Sequence, residues 1–308
     1  MQKVTVTLPP HIGTADLSPQ PAASPFAAAA RRFIMRRTAV VGVLLVVALT
    51  LLAVMANVVA PHDPLTTNLA RPRSAPTAEF LLGADSVGRD VFSRLLHGAR
   101  ASLTVGFATV ALNVALGLLI GSIAGYYGRI WDQVLMRATD VVQAFPLFIV
   151  AVSVVAVLSP SLLNVVLVLG LLGWPTVARL VRGNILSVRT YAYVDAARSL
   201  GATDGRILRR HVLPNVLAPI IVAATFGVAR AILLETSLSF LGLGVQPPTP
   251  SWGNMLAEAQ SLTTLESMPY LWVPPGLAIA VLVAAVNLVG DGLHDAVDPG
   301  RRHRGSMA

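Results

Sequence analysis

The 308-residue chain is 55% hydrophobic and only 12% charged, with a mean hydropathy of +0.70. A water-soluble domain needs more charge to cover its surface, so these values describe an all-α, polytopic membrane protein. Absence of cysteine excludes disulfides, iron–sulfur clusters and thiolate chemistry; the net charge of +8 comes from 22 arginines and one lysine against 15 acids, and because the arginines flank apolar runs it reflects topology rather than nucleic-acid binding.

In chain order, residues 1–30 are rich in Pro, Ala and Ser without an apolar core and are expected to be disordered. Arg31-Arg32 and Arg36-Arg37 precede a first apolar run, 38–60, too long for a secretory leader, which reads as an uncleaved membrane anchor. The outer segment from 61 to 100 follows. Its stretch 84–100, with Val87, Val91 and Leu95 along one side and charges of both signs, is expected to lie as an amphipathic helix at the outer interface. A helix needs about 20 apolar residues to cross a bilayer. Runs of roughly that length recur at 102–125, 141–158, 161–180, 212–234 and 271–293, so six transmembrane helices are expected. The chain then divides into a start at 1–30, an anchor and outer segment at 31–100, a core transmembrane domain at 101–297 and a tail at 298–308.

Basic residues orient the spans. With the N-terminus inside, seventeen fall in inner segments and five in outer ones, all five between 61 and 100; Arg230 lies within a span. The positive-inside rule therefore favours cytoplasmic N- and C-termini, and it places the polar segment 191–215 in the cytoplasm.

That segment, "YAYVDAARSLGATDGRILRRHVLPN", is too long for a simple connection between spans. Tyr191 to Leu200 consists of helix formers, with Val194, Ala197 and Leu200 spaced along one side. Gly201 suits a helix C-terminus. Ala202-Thr203-Asp204 offers a capped start for a second short helix through Arg210, and Pro214 suits the first turn of the next span. A compact helical pair is expected at the membrane surface, either a solvated loop or a docking element.

Polar residues inside spans are costly in lipid and face a cavity or a partner helix. Asn113, Gln143, Arg230, Glu235 and Asn287 are the candidates for a translocation path; hydrogen bonds between helices, or a pairing of Arg230 with Glu235, are the alternative. The six histidines, His11, His62, His97, His211, His294 and His303, lack paired helical spacing, so no metal site, cofactor or catalytic group is expected.

The order Asp195-Ala196-Ala197, three residues, Gly201, nine residues, then His211-Val212-Leu213-Pro214 resembles the signature loop of permease subunits of bacterial binding-protein-dependent ABC importers. Asp195 stands where the pattern usually has Glu, and His211 where it has an aliphatic residue. The His-x-Leu-Pro-Asn ending is similar to the peptide and nickel branch. So are "LLGADSVGRDVFSRLLHGAR" (81–100), "ETSLSFLGLGVQPPTPSWGNML" (235–256) and "DGLHDAVDPG" (291–300), and the match covers nearly everything after about residue 30. The resemblance implies a type I importer permease fold with an extra N-terminal helix, in the bacterial inner membrane. Partners would be a second similar permease, one or two ATP-binding subunits, an external solute-binding protein and membrane lipid, with no nucleic acid. It implies ATPase coupling through Tyr191, Val194, Asp195, Ala196, Ala197, Leu200, Gly201, Arg206, Arg209, His211, Leu213 and Pro214. The small residues Gly106, Ala115, Gly117, Gly121 and Gly125 suggest close packing within the permease pair. The outer loop 241–266 would belong to an external gate or dock. Import of di- or oligopeptides is the leading function. A nickel chelate or other small solute on the same architecture, an ion-coupled secondary carrier and a membrane scaffold compete with it.

A phosphate-binding loop of the Walker type needs a lysine after its glycines, and the only lysine here is Lys3. The purified chain, free of partners, is expected to release no phosphate from ATP; sustained hydrolysis in that assay would contradict this reading.

Overall fold

The computed structural model describes residues 25–297, which form thirteen α-helices. They are α1 (Pro25–Met35), α2 (Arg37–Val54), α3 (Ala56–Val59), α4 (Val91–Tyr127), α5 (Arg129–Gln143), α6 (Leu147–Leu158), α7 (Leu162–Val188), α8 (Ala192–Ser199), α9 (Asp204–Ile207), α10 (Leu213–Phe240), α11 (Trp252–Ala257), α12 (Leu262–Ser267) and α13 (Pro269–Val297). Five stretches are long and apolar enough to cross a bilayer: α2, α4, α7, the run Asp204–Phe240 and α13. The pair α5–α6, bent by 78°, makes six when counted as one span.

Local chemistry explains where these helices stop. Gly88 takes a φ of +79°, and Asp90 caps α4 by accepting a hydrogen bond from the Ser93 amide at 2.9 Å. The break between α5 and α6 falls on Ala144-Phe145-Pro146. Pro146 has no N–H to continue a helix and pushes the residue before it out of helical geometry. Ser161 caps α7 through the Asn164 amide.

Three expectations need correction here. Residues 25–30 begin α1 rather than being disordered; 1–24 and the tail 298–308 lie outside the described residues. The third span is not a continuous helix over 141–158 but the bent pair. The stretch 84–100 is not an interfacial helix. Residues 91–100 are the first turns of α4, so the division at residue 100 falls inside a helix. Its charges are buried in pairs: Arg89 binds Asp85 at 2.6 Å, and Arg94, 0% exposed, sits 3.3 Å from Asp85 and 2.9 Å from Glu258 beside α11. Arg100 donates to the carbonyls of Ala53 and Val54, capping the end of α2. Arg71 pairs with Glu79. Four of the five arginines between 61 and 100 are therefore neutralised or engaged in capping.

These contacts also fix which ends of the bundle go together. Arg36 donates to the Asp291 carbonyl at 3.1 Å and pairs with Asp295, so α2 begins where α13 ends. Tyr126, at the end of α4, donates to Asp204 at 2.8 Å, bringing the 191–212 segment to that same end. Trp252 donates from Nε1 to the Leu95 carbonyl, which puts 241–268 at the opposite end with the 61–90 segment.

In lipid, helices gain little from burying apolar area and associate through close packing of small residues. The glycine row expected to pack closely within the permease pair does so inside this chain, against α7. A Cβ on Gly117 would lie 2.5 Å from the Val177 Cβ, and one on Gly121 2.5 Å from the Ala178 carbonyl; on Gly125 it would lie 3.0 Å from the Ile185 Cβ. Gly106 abuts Ile232 of α10, and Ala115 is exposed. Gly121→Val should therefore cost about 1–3 kcal/mol by overpacking. It should lower both membrane abundance and the thermal midpoint in detergent. Gly183→Ala, where nothing lies within 4 Å, should leave both unchanged.

Candidate functional site

The segment after α7 forms a ledge at one end of the bundle. Tyr191 is extended, and α8 begins after it. Leu200 closes the helix, and Gly201 follows at a φ of +79°. The Gly201 amide bonds to the Arg198 carbonyl at 3.0 Å and the Ala202 amide to the Ala197 carbonyl at 3.1 Å, the paired bonds of a Schellman motif. A side chain with a β-carbon strains at such a φ by about 1–2 kcal/mol, which is why glycine stands there.

One face of the ledge is anchored. Val194 and Ile207 are fully buried with Val212, Val216 and Ile185, and Ala197 packs against the same cluster. The other face is open. Leu200 is 88% exposed, with Tyr191, Tyr193, Ala196, Arg206 and Arg209 also exposed. Leu200 thus departs from the side shared by Val194 and Ala197, because as the cap residue it has already left the helical path. Asp195 and Arg198 form an exposed pair at 3.0 Å. Although Tyr193 stays exposed, partial desolvation of its phenol raises its pKa, and the neighbouring Tyr191 adds to the rise.

The second short helix differs from expectation. Only Asp204–Ile207 is α-helical; Leu208–Val212 form a π-turn that runs directly into α10. Thr203 precedes the helix without a side-chain cap. The wide turn ends just before Pro214, which lacks an N–H for the fourth carbonyl back. His211 and Leu213 are half-buried and Pro214 is exposed; the Asn215 side chain donates to the His211 carbonyl at 2.7 Å. From Asp204 to Phe240 the ledge and the span are one rod.

Between the spans lies a cavity of about 690 Å³, walled by α4, the α5–α6 break, α7 and α10. Of the candidate path residues, Asn113, Gln143 and Arg230 line it. Glu235 and Asn287 do not. Glu235 is buried and accepts hydrogen bonds from Ser239 at 2.7 Å and Ser102 at 3.4 Å, joining α10 to α4. Asn287 is half-buried on α13, which contributes nothing to the cavity wall. Nor do Arg230 and Glu235 pair: five residues apart on a helix, they point about 140° from one another, and Arg230 is exposed to the cavity.

Sequence reasoning missed Thr109, Thr176 and Tyr126. The threonines complete the cavity's polar lining, and Gln143 reaches Thr176 at 3.5 Å. A hydroxyl hidden in an apolar run gives little signal in hydropathy. Tyr126 was detectable as an aromatic at a span end, but its partner Asp204 lies 78 residues away.

Comparison with known proteins agrees with this geometry. A family model described as binding-protein-dependent transport system inner membrane component matches residues 117–303, and one described as the N-terminal TM domain of oligopeptide transport permease C matches 24–76. The dipeptide transport system permease protein DppC of Alkalihalophilus pseudofirmus is 40% identical over 278 residues, covering 90% of this chain and 91% of its own. The glutathione transport system permease protein GsiD of Pectobacterium atrosepticum is 42% identical over 270 residues, covering 87% and 89%. A chain of the MetNI methionine ABC transporter, in an inward-facing conformation, shares the fold at 20% identity with a TM-score of 0.53, covering 67% of this chain and 96% of that one. This chain belongs to the family of binding-protein-dependent transport system inner membrane components, as a multi-pass permease subunit of an ABC importer.

Proposed function

We propose that this permease moves di- or oligopeptides inward across the bacterial inner membrane, paired with a second, similar permease. ATP-binding subunits dock on the 191–215 ledge, and an external solute-binding protein delivers cargo at the opposite end, where 61–90 and 241–268 meet. The observation that carries the reading is the ledge itself: one face anchored through Val194 and Ile207, the other presenting Leu200, Tyr191, Tyr193 and exposed arginines. Such a face suits a partner groove with apolar and acidic character. Because Asp204–Phe240 is one helical rod, a push on the ledge reaches α10 and hence the cavity wall. The peptide assignment draws on the relatives named for dipeptide and glutathione transport. The cavity supports it, since its lining has one guanidinium and no carboxylate, a setting that opposes a bare divalent cation.

Leu200→Asp removes an exposed apolar contact without touching the bundle. Loss of a buried leucine costs about 1.5–3 kcal/mol, so ATPase co-purification should weaken by about tenfold or more while membrane abundance stays normal. Gly201→Val should also reach the membrane but uncouple hydrolysis from dipeptide uptake. Normal assembly and uptake in both variants would refute docking at the ledge.

The chain has no cysteine, so single cysteines report topology cleanly. In intact cells a cysteine replacing Thr203 should resist an impermeant thiol reagent, and one replacing the exposed Leu262 should react. The reverse pattern would invert the orientation.

A further inference from the structure

The cavity wall carries five polar side chains from four elements: Thr109 and Asn113 on α4, Gln143 at the end of α5, Thr176 on α7 and Arg230 on α10. Three features set them apart from packing residues. Arg230 is the only charged residue of the lining, lies in mid-span, and has no ion-pair or hydrogen-bond partner among the described residues. Thr109 is 2% exposed, yet its hydroxyl makes no hydrogen bond, and the Asn113 carboxamide oxygen is equally buried and unpartnered. Gly173 supports this arrangement, because a Cβ there would lie 2.7 Å from both terminal atoms of the Asn113 side chain.

Each of these is unfavourable in an empty, purely structural site. A guanidinium in mid-membrane is expensive unless it faces water or a counter-charge. A buried hydroxyl without a partner loses its hydration and gains nothing in return. The guanidinium, the Thr109 hydroxyl and, once its carboxamide is turned, the Asn113 amide nitrogen can all donate to an anion in the cavity they line; arginine's fork matches a planar carboxylate in two parallel hydrogen bonds. The rest of the wall is apolar, from Val110, Phe145, Pro146, Leu147, Leu169 and Leu172. The cavity's size falls within the range of about 300–1,000 Å³ typical of small-ligand sites.

We infer that Arg230, with Thr109 and Asn113, forms a carboxylate-binding station in the translocation path, where the free carboxylate of the transported solute is held while its side chains rest on the apolar wall. This inference rests on the peptide-import reading. The amide of Asn113 turns to present Nδ2, the threonine hydroxyl donates, and the guanidinium supplies charge and direction. Arg230 stands on the same rod as the ATPase ledge, so movement of that rod shifts the charge relative to Thr109 and Asn113 on α4. That shift would loosen the station and release the solute.

The test uses the assembled transporter in proteoliposomes, with peptide-loaded binding protein outside and labelled dipeptide uptake as the readout. Arg230→Gln should reduce uptake at least tenfold, with membrane abundance and co-purification of the second permease unchanged, and Arg230→Lys, which keeps the charge but loses the fork, should fall between it and the wild type. Arg230→Cys should be inactive, regain uptake when modified with a cationic ethylammonium thiosulfonate, and stay inactive with the anionic ethylsulfonate reagent. Wild-type uptake by Arg230→Gln would overturn the station, as would equal effects of the two reagents. Loss of the second permease from Arg230→Gln would also overturn it, since the guanidinium would then be a subunit contact. No dipeptide uptake by the wild-type complex would contradict the peptide reading itself, and the station with it.

Discussion

The rest of the bundle depends on the backbone-to-backbone approach of α4 and α7. Gly117, Gly121 and Gly125 are one helical turn apart; a Cβ on the first two would not fit against α7, and on Gly125 it would lie tightly, 3.0 Å from the Ile185 Cβ. Lipid offers no hydrophobic force to compensate for a looser fit, so these contacts set the separation of the two helices. Everything attached to them inherits that geometry. Arg182 of α7 holds Asp132 of α5, and Arg179 holds Asp140 at 2.6 Å, so the broken span is pinned to the same pair. The close approach continues past Gly117 through Gly173 against Asn113 and Gly170 against Leu112, and Asn113 and Gly173 also line the cavity.

The two ends of α4 are held by opposite chemistries. At its start, Asp85, Arg89, Arg94 and Glu258 form a buried network of two acids and two arginines that joins the 61–90 segment to α11. Charges this deep are tolerable only when paired, and removing one partner leaves the others uncompensated. At its far end a single neutral-to-acid hydrogen bond, Tyr126 to Asp204, links α4 to the ledge, supplemented by Arg189 on the Gly125 carbonyl at 3.0 Å. Tyr126 also packs with Val194 and Ile207 in the buried cluster under the ledge, so this end is held by apolar contact and hydrogen bonds and the other by paired charges. The rod 204–240 joins the ledge at one end of the bundle to the cavity wall.

Much of this was legible in the chain because membrane helices announce themselves by uninterrupted apolar length, and the ledge by its arginines between two such runs. The Gly201 turn was legible too, since few residues other than glycine sit comfortably at its φ. What stayed hidden depends on partners distant in sequence. Arg89 and Arg94 look like surface charges until Glu258 is brought beside them, more than 160 residues on. The bend at Ala144-Phe145-Pro146 is embedded in an apolar stretch, so hydropathy runs straight through it. The glycine row reads equally well as an inner or an outer packing surface, and only the position of α7 decides. Arg230 was recognisable as a charge in a span, but Glu235 and Asn287 carried the same signal and serve helix packing or lie away from the cavity.

The central claim is that residues 204–240 act as one lever connecting the ledge to the cavity wall. Arg206 and Leu233 are exposed on that rod, 27 residues or about 40 Å apart along it, and Leu171 is exposed on α7. Cysteines at these positions take nitroxide labels, and pulsed electron–electron resonance on the assembled transporter reads the separations with and without bound ATP. The account predicts one narrow 206–233 distribution in both states, with a shifted 171–233 distribution when ATP binds. A 206–233 distance that broadens or changes while 171–233 stays fixed would show that the π-turn is a hinge, and would contradict it.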